Sequence, residues 1–206
     1  MKNKKELFIS FEGPEASGKS SQIKLLSKYF KINNIPHIIT REPGGTANAE
    51  QLRKIILNKK DNISIDEEIL LLMSARINHI NNVIKPALKK RYIVISDRFA
   101  DSTFVYQGYV NNFGLQKSIN LHKVLLNNFL PKKTFLFCLD AKTINGRLKK
   151  RKISNKYDKI NINFHKKVIR GYNIISKNNN RFFKIDANKP ILTIHNEIIA
   201  KFKKII

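Results

Sequence analysis

Residues 13–20, GPEASGKS, constrain this chain more than any other stretch. Gly13, four residues, then Gly18-Lys19-Ser20 is the spacing of a loop whose backbone N–H groups turn toward phosphate oxygens. The apolar run Leu7-Phe8-Ile9-Ser10-Phe11 precedes it and reads as a buried strand. Ile23, Leu25, Leu26, Tyr29 and Phe30 follow at helical spacing. Strand, glycine loop and helix in that order put a phosphate against a helix N-terminus. Lys19 is then placed to reach β- and γ-phosphates, and the Ser20 hydroxyl to ligate Mg²⁺. Gly13, Pro14, Glu15, Ala16, Ser17, Gly18, Lys19, Ser20 and Ser21 are therefore the expected binding loop for ATP or a similar triphosphate. The loop by itself does not separate a kinase from an ATPase or a GTPase.

The rest of the chain supplies partners for that first strand. Apolar runs at 7–11, 36–40, 92–96, 134–139 and 182–185 read as five strands. Helical patterns fall at 47–58, 66–90, 116–129, 143–152, 164–178 and 190–202, with Pro86 expected to break the longest near its end. Alternating strands and helices predict an α/β fold, a five-stranded mainly parallel sheet flanked by helices. No linker or repeat interrupts residues 1–206, which read as one domain. Residues 149–163 (KKRKISNKYDKININ) are the one charge-dense interruption, expected as a mobile surface segment.

Two further strand ends carry chemistry. Residues 92–96 run into Asp97-Arg98, where the carboxylate can hold Mg²⁺ and the guanidinium can clamp a phosphate, or the two can form a surface ion pair. The run at 36–40 enters Arg41-Glu42-Pro43-Gly44-Gly45-Thr46, either a second anion loop or an ordinary turn. Open parallel sheets bind ligands at these carboxyl ends. Three anion-seeking ends suggest two phosphorylated ligands. A base-reading Asn-Lys-x-Asp, expected of a GTPase switch, is missing at Leu139-Asp140-Ala141-Lys142.

Net charge is +25, which could announce a nucleic-acid-binding ATPase. Yet nine of the 40 basic residues are Arg, and the lysines are scattered among Asn and Ile rather than interleaved with aromatics. No specific nucleic acid is expected as a partner. Cys138, the lone cysteine, lies in an apolar run and reads as a reduced core residue. The five histidines lack metal-ligand spacing. No run approaches the roughly 18 apolar residues of a membrane span, and the five-residue apolar stretch before Glu12 is short for an export signal. A soluble cytoplasmic protein with no membrane partner is expected.

With these motifs assembled, the chain resembles the bacterial thymidylate kinases over nearly its whole length. The resemblance rests on Phe11-Glu12-Gly13, Thr40-Arg41-Glu42-Pro43-Gly44-Gly45-Thr46, Ala75-Arg76, residues 83–88 (VIKPAL), residues 97–103 (DRFADST) and Tyr106-Gln107-Gly108. It implies transfer of the γ-phosphoryl of MgATP to dTMP, giving dTDP for dTTP synthesis, with a homodimer as the working unit. By resemblance, Glu15 approaches the dTMP sugar, Arg41 and Arg98 hold its phosphate, Pro43 lines the site, and Arg76 meets the thymine edge. Ser102, Thr103 and Gln107 surround the base, and Tyr106 packs beside the deoxyribose. The family usually stacks a Phe on thymine where this chain has Leu72, so weaker dTMP binding is implied. Ala16 stands where some members carry an Arg, and variants without it draw their catalytic cation from the lid, here Arg151 with Arg147, Lys150, Lys152 and Lys156 nearby. Lys19, Asp97, Arg98 and Arg151 are thus the expected catalytic residues, Ser20 and Asp97 the metal ligands, and Arg147 with Asp186 the adenine side. By resemblance the lid spans about 147–163 and is about three residues shorter than in common relatives, with Asn161 in place of an acidic residue after Asp158.

Overall fold

A computed structural model describes residues 6–58, 62–150 and 162–206. Its centre is a five-stranded parallel sheet: β1 (Leu7–Glu12), β2 (His37–Arg41), β3 (Ile93–Asp97), β4 (Lys133–Cys138) and β5 (Phe182–Asp186), in the order β2-β3-β1-β4-β5. Leu7 pairs with Ile93, Ile9 with Lys133, His37 with Ile93 and Thr134 with Phe182. All five expected strands are present. They were legible because central parallel strands, covered on both faces, read as unbroken apolar runs, and every residue of β1 is buried.

Side-chain alternation along β1 feeds two cores. Leu7, Ile9 and Phe11 pack with Ile23, Leu26 and Phe30 of α1 (Lys19–Ile32) and Ile194, Ile198 and Phe202 of α9 (Ile191–Lys203). Phe8 faces the other way, onto Val94, Ile80, Ile84, Phe99 and Phe104. After β2 in the chain come α2 (Ala47–Leu57), capped by Thr46, and α3 (Ile65–His79), opened by a Ser64/Glu67 capping box. A capping box satisfies backbone donors at both residues, so α3 begins firmly.

Pro86 does not break the long helix where expected. A π-helical turn (Ile80–Ile84) follows α3, its Lys85 N–H bonding to Ile80 O, and α4 (Lys85–Lys89) continues beyond. The register step leaves Pro86 in the first turn of α4, where a missing N–H does no harm. A second departure is α5 (Ala100–Thr103) with its π-helical continuation (Phe104–Val110), in a stretch given no element from sequence. Its buried Asp101, Thr103 and Gln107 break the apolar spacing that marks helices. The remaining helices are α6 (Leu115–Leu126), α7 (Ala141–Lys149) and α8 (Ile162–Ser176). Asn127 and Asn128, at φ 49° and 55°, stop α6 short of its expected end. Asp140 caps α7 by accepting Thr143 N–H at 2.8 Å, starting it two residues early.

Candidate active site

The phosphate loop joins β1 to α1 at the carboxyl edge of the sheet. Gly13 sits at φ 137° with its backbone against β4, so a Cβ there would lie 2.6 Å from the Phe137 carbonyl oxygen. Lys19 is buried, and its ammonium donates to Gly13 O (3.0 Å), Pro14 O (2.7 Å) and Ser17 Oγ (3.0 Å). Reaching a phosphate from this position means exchanging one of those bonds. Burial pulls the Lys19 pKa down to about 7, Arg98's charge adding to it against Asp97, Glu15 and Glu12. Ser20 Oγ donates to Asp97 Oδ2 at 2.7 Å, joining the two expected metal ligands between the start of α1 and the end of β3. A hydroxyl and a carboxylate beside the phosphate loop are the hard oxygen donors that Mg²⁺ takes.

Arg98 follows at φ 69°, a left-handed conformation that turns its side chain across the loop. Nη1 donates to Gly13 O (3.0 Å), Ser102 Oγ (3.1 Å) and Tyr172 OH (3.4 Å), and Nη2 to Glu15 Oε1 (2.9 Å). The guanidinium lies 5.2 Å from the centroid of Tyr106, whose hydroxyl donates to Glu15. Beneath them Glu12, fully buried at the end of β1, accepts Phe99 N–H (2.7 Å), Ser102 Oγ–H (2.7 Å) and Tyr172 O–H (2.9 Å). Burial, with Asp101's charge, pushes the Glu12 pKa up to about 7, against Arg98 and its hydrogen-bond donors.

A cavity opens beside Arg98. Glu15, Pro43, Leu72, Arg76, Arg98, Ser102, Thr103, Tyr106 and Gln107 all line it, with Ile56, Leu57 and Phe99 as further apolar wall. Every expected acceptor residue except Arg41 is there. Arg41 lines the adjoining phosphate cavity instead, its guanidinium bonded to both oxygens of Glu50 at 3.0 and 2.9 Å.

Arg76 is held by a buried chain of polar groups. Its Nε meets Glu42 Oε2 at 2.6 Å and its Nη2 meets Thr103 Oγ1 at 2.8 Å. Glu42 Oε1 lies 3.0 Å from His79 Nδ1, and His79 Nε2 lies 2.6 Å from Thr40 Oγ1. If Nδ1 donates to the carboxylate, neutral His79 accepts from Thr40 through Nε2. Gln107 donates to Glu68 at 2.7 Å, tying the base wall to α3.

On the donor side Arg147 reaches from α7 to Ala16 O (3.2 Å) and Ala187 O (2.9 Å), joining the phosphate loop to the turn after β5. Asp186 does not line the phosphate cavity; its Oδ1 accepts Asn188 N and Nδ2, both at 3.0 Å, in that turn. Arg151, Lys152 and Lys156 lie outside the described residues. Three contributors were missed from sequence: Glu12, Tyr172 and Arg53. Arg53 of α2 donates to Pro43 O at 2.7 Å and lines the phosphate cavity with Arg41, Asp97, Arg98 and Arg147. Being one of nine arginines among 31 lysines was a signal for Arg53.

A phosphate loop on a parallel sheet, with a second cavity across a shared arginine, defines a P-loop kinase of the nucleoside monophosphate type. A family model described as thymidylate kinase matches residues 11–198. The chain is 38% identical to a thymidylate kinase of Clostridium novyi, covering 94% of this chain and 97% of that one. It is 42% identical to one of Mycoplasma capricolum (94% and 92%) and 36% identical to one of Thermosipho africanus (97% of each). The chain belongs to the thymidylate kinase family.

Proposed function

We infer that the protein transfers the γ-phosphoryl of ATP to the phosphate of dTMP, giving dTDP and ADP, the step that leads toward dTTP. The observation that carries this reading is that Arg98 and Glu15 line both cavities at once, so two nucleotides would meet at one guanidinium. Thymine and sugar occupy the cavity walled by Leu72, Arg76, Tyr106 and Gln107, with Tyr106 and Glu15 against the deoxyribose. The acceptor phosphate is gripped by Arg98 and Arg41, with Arg53 alongside. Lys19 and the loop N–H groups hold the β- and γ-phosphates. Arg147 and the Asp186 turn flank adenine, and Arg151 supplies the lid cation. Ser20 and Asp97 would hold Mg²⁺, which supplies charge neutralisation to the transferring phosphoryl group. Catalysis is in-line positioning and electrostatic stabilisation, with no covalent intermediate.

A cytoplasmic homodimer, with no membrane and no specific nucleic acid as partner, belongs to the same reading. Exposed Leu70 of α3 and Val124 and Leu125 of α6 support an association face, and no helix among the described residues is long and apolar enough to cross a membrane. The test is ATP consumption with Mg²⁺ against dTMP, dUMP, dCMP, AMP, GMP, thymidine and single-stranded DNA, with products separated by chromatography. dTDP as the main product is expected. An inert dTMP, with turnover stimulated by DNA or another nucleotide, would overturn the base-site assignment.

A further inference from the structure

Glu12 lines neither nucleotide cavity, yet three donors converge on it. Phe99 N–H takes Oε1, while Ser102 Oγ and Tyr172 OH both donate to Oε2, at 2.7 and 2.9 Å. A hydroxyl has one proton to give. Ser102 and Tyr172 each direct theirs to Glu12, so what both oxygens present elsewhere is lone pairs. Both oxygens lie beside Arg98 Nη1, at 3.1 and 3.4 Å, and the carbonyl of Gly13 is a third acceptor at 3.0 Å. Ser102 Oγ and Tyr172 OH are also 3.1 Å apart, with no proton left to bond each other.

We propose that Glu12 is a positioning residue for Arg98: by taking both hydroxyl protons it turns Ser102 and Tyr172 into acceptors that fix Nη1, while Glu15 fixes Nη2. The proposal deepens, and rests on, the reading of Arg98 as the acceptor-phosphate arginine. Tyr172 comes from α8, so that helix has a direct hold on the arginine.

What distinguishes this role from filling the core is polarity. Glu12→Gln keeps the volume and a carbonyl for Phe99 N–H, but offers an NH₂ where Oε2 stood. That amide donates to the two hydroxyl oxygens, and their protons then turn toward Arg98, donor against donor. Steady-state kinetics and dTMP calorimetry on the full chain, at a pH well above the Glu12 pKa of about 7 so that its carboxylate only accepts, compare wild type, Glu12→Gln, Tyr172→Phe and the double variant. Glu12→Gln is expected to raise the KM for dTMP about tenfold while that for ATP stays within about twofold. Tyr172→Phe in the wild-type background raises the dTMP KM about threefold. In the Glu12→Gln background the same change lowers it, because the hydroxyl it removes has become a misdirected donor.

Additive effects overturn the proposal. So does an equal rise in both KM values, or a lowered melting temperature with the dTMP KM unmoved. Should Glu12→Gln fail to fold, Tyr172→Phe, which keeps its ring in the core, decides the matter: an unchanged dTMP KM overturns the proposal. Wild-type protein that makes no dTDP would instead overturn the acceptor reading itself. Wild-type turnover without the KM split removes the positioning role alone.

Discussion

Replacing Arg76 by Met tests both the buried polar chain and the base site. Arg76 is 2% exposed, and Met keeps an unbranched apolar stem without the guanidinium. The change strips Glu42 of its 2.6 Å guanidinium partner and Thr103 of its 2.8 Å donor, leaving a carboxylate that is 5% exposed with His79 as its neighbour. Removing one member of a buried pair costs about 3–5 kcal/mol, because the other stays charged and desolvated. For a chain of this size that lowers Tm by about 6–20 °C. Adding Glu42→Gln discharges the orphan, so the double variant should be more stable than Arg76→Met, with a coupling of about 2 kcal/mol. The chain has no Trp, so urea unfolding followed by circular dichroism at unchanged m is the suitable assay. A loss below about 1 kcal/mol, as for a surface pair, or strictly additive changes would refute the reasoning.

Three more outcomes are expected. Leu72→Phe places a ring in the base wall and should tighten dTMP by about 0.5–1.5 kcal/mol, roughly two- to tenfold by calorimetry; no gain would mean that the base is not held against this wall. Gly45→Ala should destabilise by about 1–3 kcal/mol in urea melts, since its φ is 88° and a Cβ would lie 2.6 Å from Thr40 Oγ1 and 2.7 Å from the His79 ring; a neutral result would show that the loop shifts freely. Glu12 faces Asp101, Arg98, Tyr172, Arg181 and Lys19, and its folded pKa of about 7 lies above the ordinary 4.5. The folded state therefore binds its proton more tightly, and this group's contribution to stability falls as pH rises from about 4.5 to about 7. Urea midpoints across that window should show a component that Glu12→Gln lacks, and identical pH profiles would count against it.

Much of the site was legible because phosphate chemistry leaves local marks. The loop at residues 13–21, Asp97-Arg98 and Arg41 through Thr46 each follow a strand, and the sheet brings those strand ends together. Ser20 and Asp97 are far apart in sequence but hydrogen-bonded because β1 and β3 pair in register. What escaped has no local mark. Glu12 looks like the last residue of an apolar strand, and Tyr172 and His79 look like core positions of amphipathic helices; their roles exist only through partners tens of residues away. The helix at Ala100–Thr103 was hidden by its polar side chains, two of which, Ser102 and Thr103, line the cavity beside Arg98. A conflict between local pattern and structure is thus found where function resides.

The packing of Gly13 on Phe137 has a consequence for the order in which the protein can come into being. β1 leaves the ribosome before both strands it pairs with, yet it lies in the middle of the sheet, and its neighbours begin at Ile93 and Lys133. Its hydrogen-bonding edges wait until those two strands have been made, and the phosphate loop has no wall to rest on until β4 has emerged. Nucleotide affinity is therefore a late acquisition in the life of the nascent chain. Pairings so distant in sequence also make the final collapse slow by comparison with helical bundles of similar length.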